Sequence, residues 1–299
     1  MSSSSPRRLL SIVIVSWNVR HLLEKNLERL RDLPDQVERE VFVVDNGSHD
    51  GSAQLVRERF PWVKLITNDW DAGFAGPNNQ ALRQAAGDVC ILLNPDMLVE
   101  PGSLDYVYQT LMEDKTLGVL GILLRGQNGE PIPGSIRRLP DLASQLAIVL
   151  KLPHIFPRVI DHYLWKDFDF TKKQDVPQVR GSFFAFRREL LQSVGYLDHG
   201  YHIWFEEVDY CLRVQRAGLR VAYDPTVWAR DYVGKGVSQM KRLETQRIFT
   251  TSMLRYFRKW KPWWQWLLIA LVRPFGLLTA LIMDIVAALR SKVHPLFRV

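Results

Sequence analysis

The chain has 299 residues, 47% of them apolar, with a formal net charge of +7 and an isoelectric point near 9.4. That length holds one large α/β domain plus a tail, or two modest domains, and the apolar fraction excludes a largely disordered chain. The positive balance suits a phosphorylated substrate, an anionic membrane or a nucleic acid, and the basic residues crowding the apolar C-terminal stretch favour the membrane over the nucleic acid.

Residues 1–8, MSSSSPRR and its neighbour, read as a disordered start, too short to be a secretory signal. Leu9–Ser16 alternates and is β-branched, a first strand with Trp17, Asn18 and Arg20 at its exit. Leu22, Leu23, Leu27 and Leu30 follow at helical spacing. Val41–Val44 is a second strand, and Asp50 or Ser52 caps a helix carrying Leu55, Val56 and Phe60 inward. Val63–Ile66, a loop DWDAGFAGPNN, a helix Gln80–Ala86 and a strand Val89–Leu93 complete β-α-β-α-β-α-β. Strands alternating with helices predict a mostly parallel, Rossmann-like sheet with helices on both faces.

Further on, Leu104–Met112 reads as a helix, Gly118–Leu124 as a strand and Gln127–Pro140 as a loop or hairpin. Residues 141–175 show no clean period. Gly181–Phe186 is a strand, Arg188–Val194 a helix, Trp204–Gly218 a segment containing an amphipathic helix, and Val221–Tyr223 a short last strand. The two cysteines, Cys90 and Cys211, sit in apolar or helical runs and read as small core residues of a reducing compartment, the cytoplasm.

Two carboxylate-bearing turns directly follow buried-looking strands: Asp45 after Val41–Val44, and Asn94 with Asp96 after Val89–Leu93. Ligands of open α/β sheets sit outside the carboxyl ends of the strands, so these groups converge on one crevice. A small acidic cluster there can hold a divalent cation and, through it, a phosphate. Asn68–Asn79 is rich in Gly and Asn, but no lysine follows, which excludes a G-x-x-x-x-G-K phosphate loop. A third constellation, WFEEVDYCLRVQRAG, carries Glu206, Glu207 and Asp209. Singly, each also reads as a turn or a helix-start acid.

From Trp263 to Leu289 the chain is overwhelmingly apolar, divided by Arg273-Pro274 and preceded by the basic aromatic stretch RYFRKWKPWWQW. A membrane span needs about 20 uninterrupted apolar residues. Two amphipathic helices lying in a membrane interface, over residues 261–299, are therefore expected. A hairpin packed on the domain and a true span are the alternatives.

Taken in order, SIVIVSWN, VFVVDNGSHDGS, NDWDAGFAGPNNQAL, ILLNPD, RGSFFAFRRELLQSVGYLD and WFEEVDYCLRVQRAG resemble family 2 glycosyltransferases of the GT-A fold. Within that family they look most like the rhamnosyltransferase-type enzymes of bacterial cell-surface polysaccharide synthesis. The resemblance covers roughly residues 9–260. It implies a nucleotide-sugar-binding half, 9–100, and an acceptor and catalytic half, 101–260. It further implies inverting transfer from a nucleotide-diphosphate sugar, dTDP-rhamnose or a UDP-sugar, to a hydroxyl of a lipid-linked or oligosaccharide acceptor at the cytoplasmic face of the inner membrane.

Carried over by motif, Ser16, Trp17, Asn18, Asp45, Asn46, Gly73, Asn78, Asn94, Asp96 and Gly181 would contact the donor, Asp45 through its base or ribose. Asp96 would touch Mg²⁺ or Mn²⁺ in a D-x-D motif whose first position is Asn94. Glu207 would be the general base, with Glu206 the rival because this chain has Glu-Glu where the family has Glu-Asp. Asp209 would orient the helix start or the acceptor. Relatives often carry a histidine ligand after the last strand. Here Asp231 falls nearest, either as a substitute metal ligand or as a loop acid. A membrane-tethered binder without activity and a sugar nucleotidyltransferase are the competing readings. The tail is expected to be removable at Lys261, leaving a more soluble protein that still binds nucleotide sugar.

Overall fold

The computed structural model describes residues 8–232 and 239–293, so the N-terminal residues 1–7 expected to be disordered lie outside it. The first half runs β1 (Leu9–Ser16), α1 (Arg20–Asp32), β2 (Glu38–Asn46), α2 (Ser52–Arg59), β3 (Lys64–Asn68), α3 (Ala75–Leu82) and β4 (Val89–Leu93). These strands are parallel, β1 lying between β2 and β4, with β3 beyond β2. All five residues of β4 are buried, as a strand covered by helices on both faces requires. Burying one such aliphatic side chain contributes about 1.5–3 kcal/mol, so these short runs supply much of the core. Helix α3 starts within the predicted loop rather than at Gln80. Pro77 falls in its first turn, where a missing N–H breaks no helical bond.

The second half contains β5 (Met97–Val99), α4 (Ser103–Glu113), β6 (Leu117–Arg125), β7 (Ile136–Arg137), α5 (Leu142–Val149), β8 (Gln174–Asp175), β9 (Gln178–Val179), β10 (Phe183–Arg187), α6 (Leu190–Ser193), α7 (Glu206–Arg216), β11 (Arg220–Asp231), α8 (Arg242–Trp260) and α9 (Trp263–Val293). The main sheet runs β3-β2-β1-β4-β10-β6-β11-β5, with β8 paired to β11. Strand β10 is antiparallel to both β4 and β6. Strand β11 extends well past the predicted Val221–Tyr223. It survives a register shift between Asp224 and Trp228, where Pro225 cannot donate to a ladder. The unassigned stretch 141–175 holds α5, capped by Asp141 accepting from the Ser144 N–H, and two 3-10 turns at Leu152–His154 and Pro157–Ile160. Both cysteines are buried and free, and burial pushes each thiol up to about 12.

The tail corrects the two-helix expectation. It is one helix, α9, continuing through Pro274, and it lies against α8 and α5. Arg273 donates to the Thr250 and Thr251 hydroxyls of α8, so the charge that split the apolar run has partners inside the packing. Gly276 sits so close to α5 that a Cβ there would come 2.6 Å from the Val149 carbonyl oxygen. Farther along, Asp284 accepts from the Arg242 and Leu243 N–H groups, satisfying donors at the start of α8. By length and composition alone, Trp263–Ala287 is long and apolar enough to cross a membrane.

Candidate active site

Strand direction builds the site. The carboxyl ends of β1, β2 and β4 point to one edge of the sheet, and antiparallel β10 begins at that edge. Phe183 pairs with Leu93, and the Asn94 N–H donates to the Ser182 carbonyl at 2.9 Å. Around this edge a cleft of about 230 Å³ is lined by Trp17, Asn46, Gly73, Asn94, Asp96, Gly181, Glu206 and Glu207, all expected from the sequence. Asn26, buried on α1, donates to the Asn94 and Met97 carbonyls at 3.1 and 2.7 Å and so fixes the N-P-D turn.

Asn46 organises the loop over the cleft. It donates to Asp71 and the Gly73 carbonyl, and accepts from Asn68 and the Ala72 N–H. Gly73 has φ +79°, and a Cβ there would meet the His202 carbonyl oxygen at 2.2 Å, so both conformation and space require glycine. The Phe74 N–H donates to that same oxygen at 2.6 Å, joining the loop to the segment ahead of α7. Asp71 faces His202, at 3.6 Å. Burial pushes its carboxyl up, but hydrogen bonds from His202 and the Gly73 N–H outweigh that and hold it below its ordinary value.

Helix α7 opens on strained backbone. Trp204 and Phe205 have φ of 68° and 71°, a left-handed pair that costs bulky residues roughly 1–3 kcal/mol each. Aromatic packing holds the turn: Trp204 and Phe205 each meet the Phe249 ring at 5.6 Å, and Phe205 meets Tyr256 at 5.5 Å. The result aims Glu206 and Glu207 into the cleft. Burial, then the neighbouring Glu207, pushes the Glu206 carboxyl well above the usual glutamate range. Burial raises Glu207 as well, with Arg137 and Arg180 opposing.

A raised carboxyl pKa means the folded state holds the proton more tightly than the unfolded chain. Stability therefore falls as pH rises from the unfolded glutamate value, about 4.3, through the folded one. Glu206→Gln is expected to raise Tm at neutral pH and leave it unchanged near pH 4. Melting curves across that range check this, and a loss at neutral pH would contradict it.

Other expected residues lie behind the cleft rather than on it. Ser16 and Asp45 pair in register at the ends of β1 and β2. One Asp45 oxygen accepts from the Ser48 N–H, while its other oxygen and the Ser16 hydroxyl are buried without a hydrogen-bond partner. Orphaned polar atoms at strand ends suit an incoming ligand. Asn18 accepts from the His49 N–H and donates its own N–H to Ser48, which shapes the β1 exit. Asn78 donates within α3 to the Phe74 carbonyl.

Asp209 corrects the expectation of a role at the acceptor. It is fully buried away from the cleft, accepting from Arg213 at 2.9 Å, from the Trp260 indole at 2.8 Å and from Lys259 at 2.7 Å. It ties α7 to the end of α8. Conversely, the sequence reading missed Asp71, Phe74, Arg137, Arg180, Ser182 and Trp204 on the cleft wall. Arg180 and Ser182 flank the predicted Gly181 and could have been found. Arg137 lies in a stretch that read only as loop.

Among the described residues, no three of His, Cys, Asp and Glu gather as a preformed metal cage. Asp96 and Asp231 stand at neighbouring strand ends, since Asp231 pairs with Met97 and the Tyr232 N–H donates to the Asp96 carbonyl. Two carboxylates fit a hard dication such as Mg²⁺, which takes its remaining ligands from phosphates and water. Arg180, 3.4 Å from Asp231, competes for the second of them.

A parallel nucleotide-binding half, an antiparallel strand delivering the second wall, and acids from both halves in one cleft define a GT-A-like fold. The family model for glycosyl transferase family 2 matches residues 11–195, well over half of the chain, and the chain belongs to that family. The matched stretch ends before α7. The chain is 28% identical over 230 residues to the N-acetylglucosaminyl-diphospho-decaprenol L-rhamnosyltransferase of Mycobacterium tuberculosis, covering 73% of this chain and 74% of that one. Among solved structures it resembles the mannosyltransferase PcManGT of Pyrobaculum calidifontis in complex with GDP-Man and Mn²⁺. That likeness has a TM-score of 0.56 at 20% identity, over 98% of this chain and 81% of that one. GalNAc-T7 with UDP, GalNAc and Mn²⁺ gives 0.57 at 17% identity, over 78% of this chain. The match spans only 45% of the GalNAc-T7 chain.

Proposed function

We propose that this glycosyltransferase is inverting and dependent on Mg²⁺ or Mn²⁺, moving a sugar from dTDP-rhamnose or a UDP-sugar to a hydroxyl of a lipid-linked glycan. The observation that carries this reading is the sharing of one cleft by Asp96 and the Glu206–Glu207 pair. The Mn²⁺ and nucleotide-sugar complexes of the structural neighbours support the donor class, and the decaprenol-linked substrate in the mycobacterial relative's name supports the acceptor class.

Asp96, and Asp231 beside it, would hold the metal, which when bound neutralises charge developing on the leaving diphosphate. Trp17, Asn46 and Gly73 would line the donor. Glu207 takes the acceptor hydroxyl proton as that oxygen attacks the anomeric carbon from the face opposite the leaving group, which inverts the centre. Its raised pKa suits that task. Glu206, more deeply buried beside it, keeps the pair's proton affinity high. The test is hydrolysis of a panel of nucleotide sugars with and without Mg²⁺ or Mn²⁺, followed by transfer to a prenyl-diphosphate sugar and analysis of the product anomer. Retained configuration would overturn the inverting mechanism, and nucleotide-sugar binding with no turnover of any donor would favour an inactive tethered binder.

We also propose that α9 lies flat on the cytoplasmic face of the membrane. Leu271, Phe275, Leu278 and Ile282 recur at helical spacing and are half exposed or more. Bonds from Arg273 and Asp284 to α8 would have to break, or drag charged α8 into lipid, if α9 crossed the bilayer alone. Exchanging Leu271, Phe275 and Leu278 together for Glu is expected to abolish flotation with anionic liposomes and keep donor hydrolysis. A C-terminus protected from protease on the far side of sealed vesicles would show a span instead.

A further inference from the structure

The cationic wall of the cleft has no role in the chemistry above beyond its field at Glu207. Arg137 and Arg180 come from the two ends of a small ribbon separate from the main sheet. Ile136 pairs with Val179 and Arg137 with Gln178, and Arg180 follows directly. The ribbon is rigidly seated. Val179 is buried against Gly121, where a Cβ would come 2.6 Å from its methyl, and Gln178 donates to the Arg138 carbonyl at 2.7 Å. Arg137 uses its Nε on the Gly134 carbonyl at 2.6 Å, which orients its guanidinium and leaves the two Nη groups without a hydrogen-bond partner among the described residues. Arg180, its side chain one-quarter exposed, reaches Asp231 through Nη1. Both line the cleft.

Two preorientated guanidiniums in one cleft match the bidentate geometry of phosphate oxygens. We infer that Arg137 and Arg180 form a diphosphate-binding fork. A diphosphate can enter from the donor or from a lipid-linked acceptor, and the course of the chain favours the acceptor. From Arg137 it passes through Leu139 and Leu142, packed against α8 and α9, into α5, which ends at Val149 against Gly276 of α9. Immediately beyond stand exposed Leu150, Ile155, Phe156 and Val159, with Lys151 and Arg158 among them. A lipid whose tail followed this apolar surface would present its headgroup toward the fork. The choice of source rests on the lipid-acceptor reading. The fork itself does not.

The experiment uses the full chain with Arg137→Ala, Arg180→Ala and the matching Lys exchanges, which keep charge without the fork. Titration with inorganic pyrophosphate in EDTA is expected to show at least tenfold weaker binding for each Ala variant and partial recovery with Lys. If the site serves the acceptor, Kd for UDP and dTDP stays unchanged. KM for a prenyl-diphosphate sugar then rises at least tenfold, and KM for a soluble sugar lacking the diphosphate does not move. A matching rise in the nucleoside diphosphate Kd would assign the fork to the donor. Should the chain turn over no nucleotide sugar at all, weakened pyrophosphate binding would still uphold the fork while the functional reading fell. Unchanged pyrophosphate affinity in every variant, with only the acid limb of the pH profile displaced, would reduce the arginines to counter-ions of Glu207 and overturn the fork.

Discussion

Glu207→Gln is expected to lower kcat by about 10²–10⁴-fold, the loss typical of a general base, while nucleotide-sugar Kd stays near wild type. Glu206→Gln should cost less. Glu206 is 4% exposed, whereas Glu207 is the more open of the two and faces Arg137 and Arg180, whose fields favour its charged form. Two adjacent carboxyls raised by burial titrate as a pair, so the acid limb of kcat/KM should lie above the ordinary glutamate value of about 4.3. Activity is lost as pH falls through that limb, because the base is then protonated. The reverse ranking of the two variants would move the base to Glu206. Wild-type rates for both would sink the mechanism.

Asp96→Ala is expected to abolish metal-dependent donor binding and transfer together, yet leave the fold intact. The residue occupies a turn whose shape is held by Asn26 from α1 and by the Asn94–Ser182 backbone bond, neither of which involves the Asp96 side chain. Calorimetry with a nucleotide sugar in Mn²⁺ checks this, and undiminished affinity would remove Asp96 from the metal. Asp231→Asn should shift the metal concentration for half activity upward without erasing binding, since Asp231 lies one strand farther from the cleft wall. A metal titration overlaying wild type would make it a partner of Arg180 only.

The parallel half of the sheet was legible in the sequence because each strand is a short aliphatic run closed by turn residues and each helix repeats leucine at helical spacing. Val89–Leu93 was readable to the residue. The antiparallel placement of Phe183–Arg187 was not, since nothing in FFAFR encodes direction. That is decided by where the chain arrives after the irregular stretch 141–175. The same gap hid Arg137, which reaches the cleft only through a two-residue pairing with Gln178–Val179, too short to leave a period. Asp209 misled for the opposite reason. Its place in an acidic motif suggested chemistry, but one turn of helix separates the face carrying Glu206 from the face meeting Lys259 and Trp260. Arg273-Pro274 read as a break because a sequence shows the charge and not the hydroxyls of Thr250 and Thr251 that receive it.

The buried side of α9 fixes where this protein ends as a folding unit. Ile269 and Ala280 are fully enclosed, and they help cover Val149, Met253, Tyr256 and Phe257. Those last aromatics in turn brace Phe205, one residue ahead of the carboxylate pair. Cutting at Lys261, which the sequence alone invited, would therefore strip the outer layer from a core and slacken the turn that aims the base. The chain so shortened is expected to aggregate rather than dissolve. Preparations free of detergent call instead for the whole chain, with polar side chains painted onto the outward stripe of the last helix and its inward stripe left untouched.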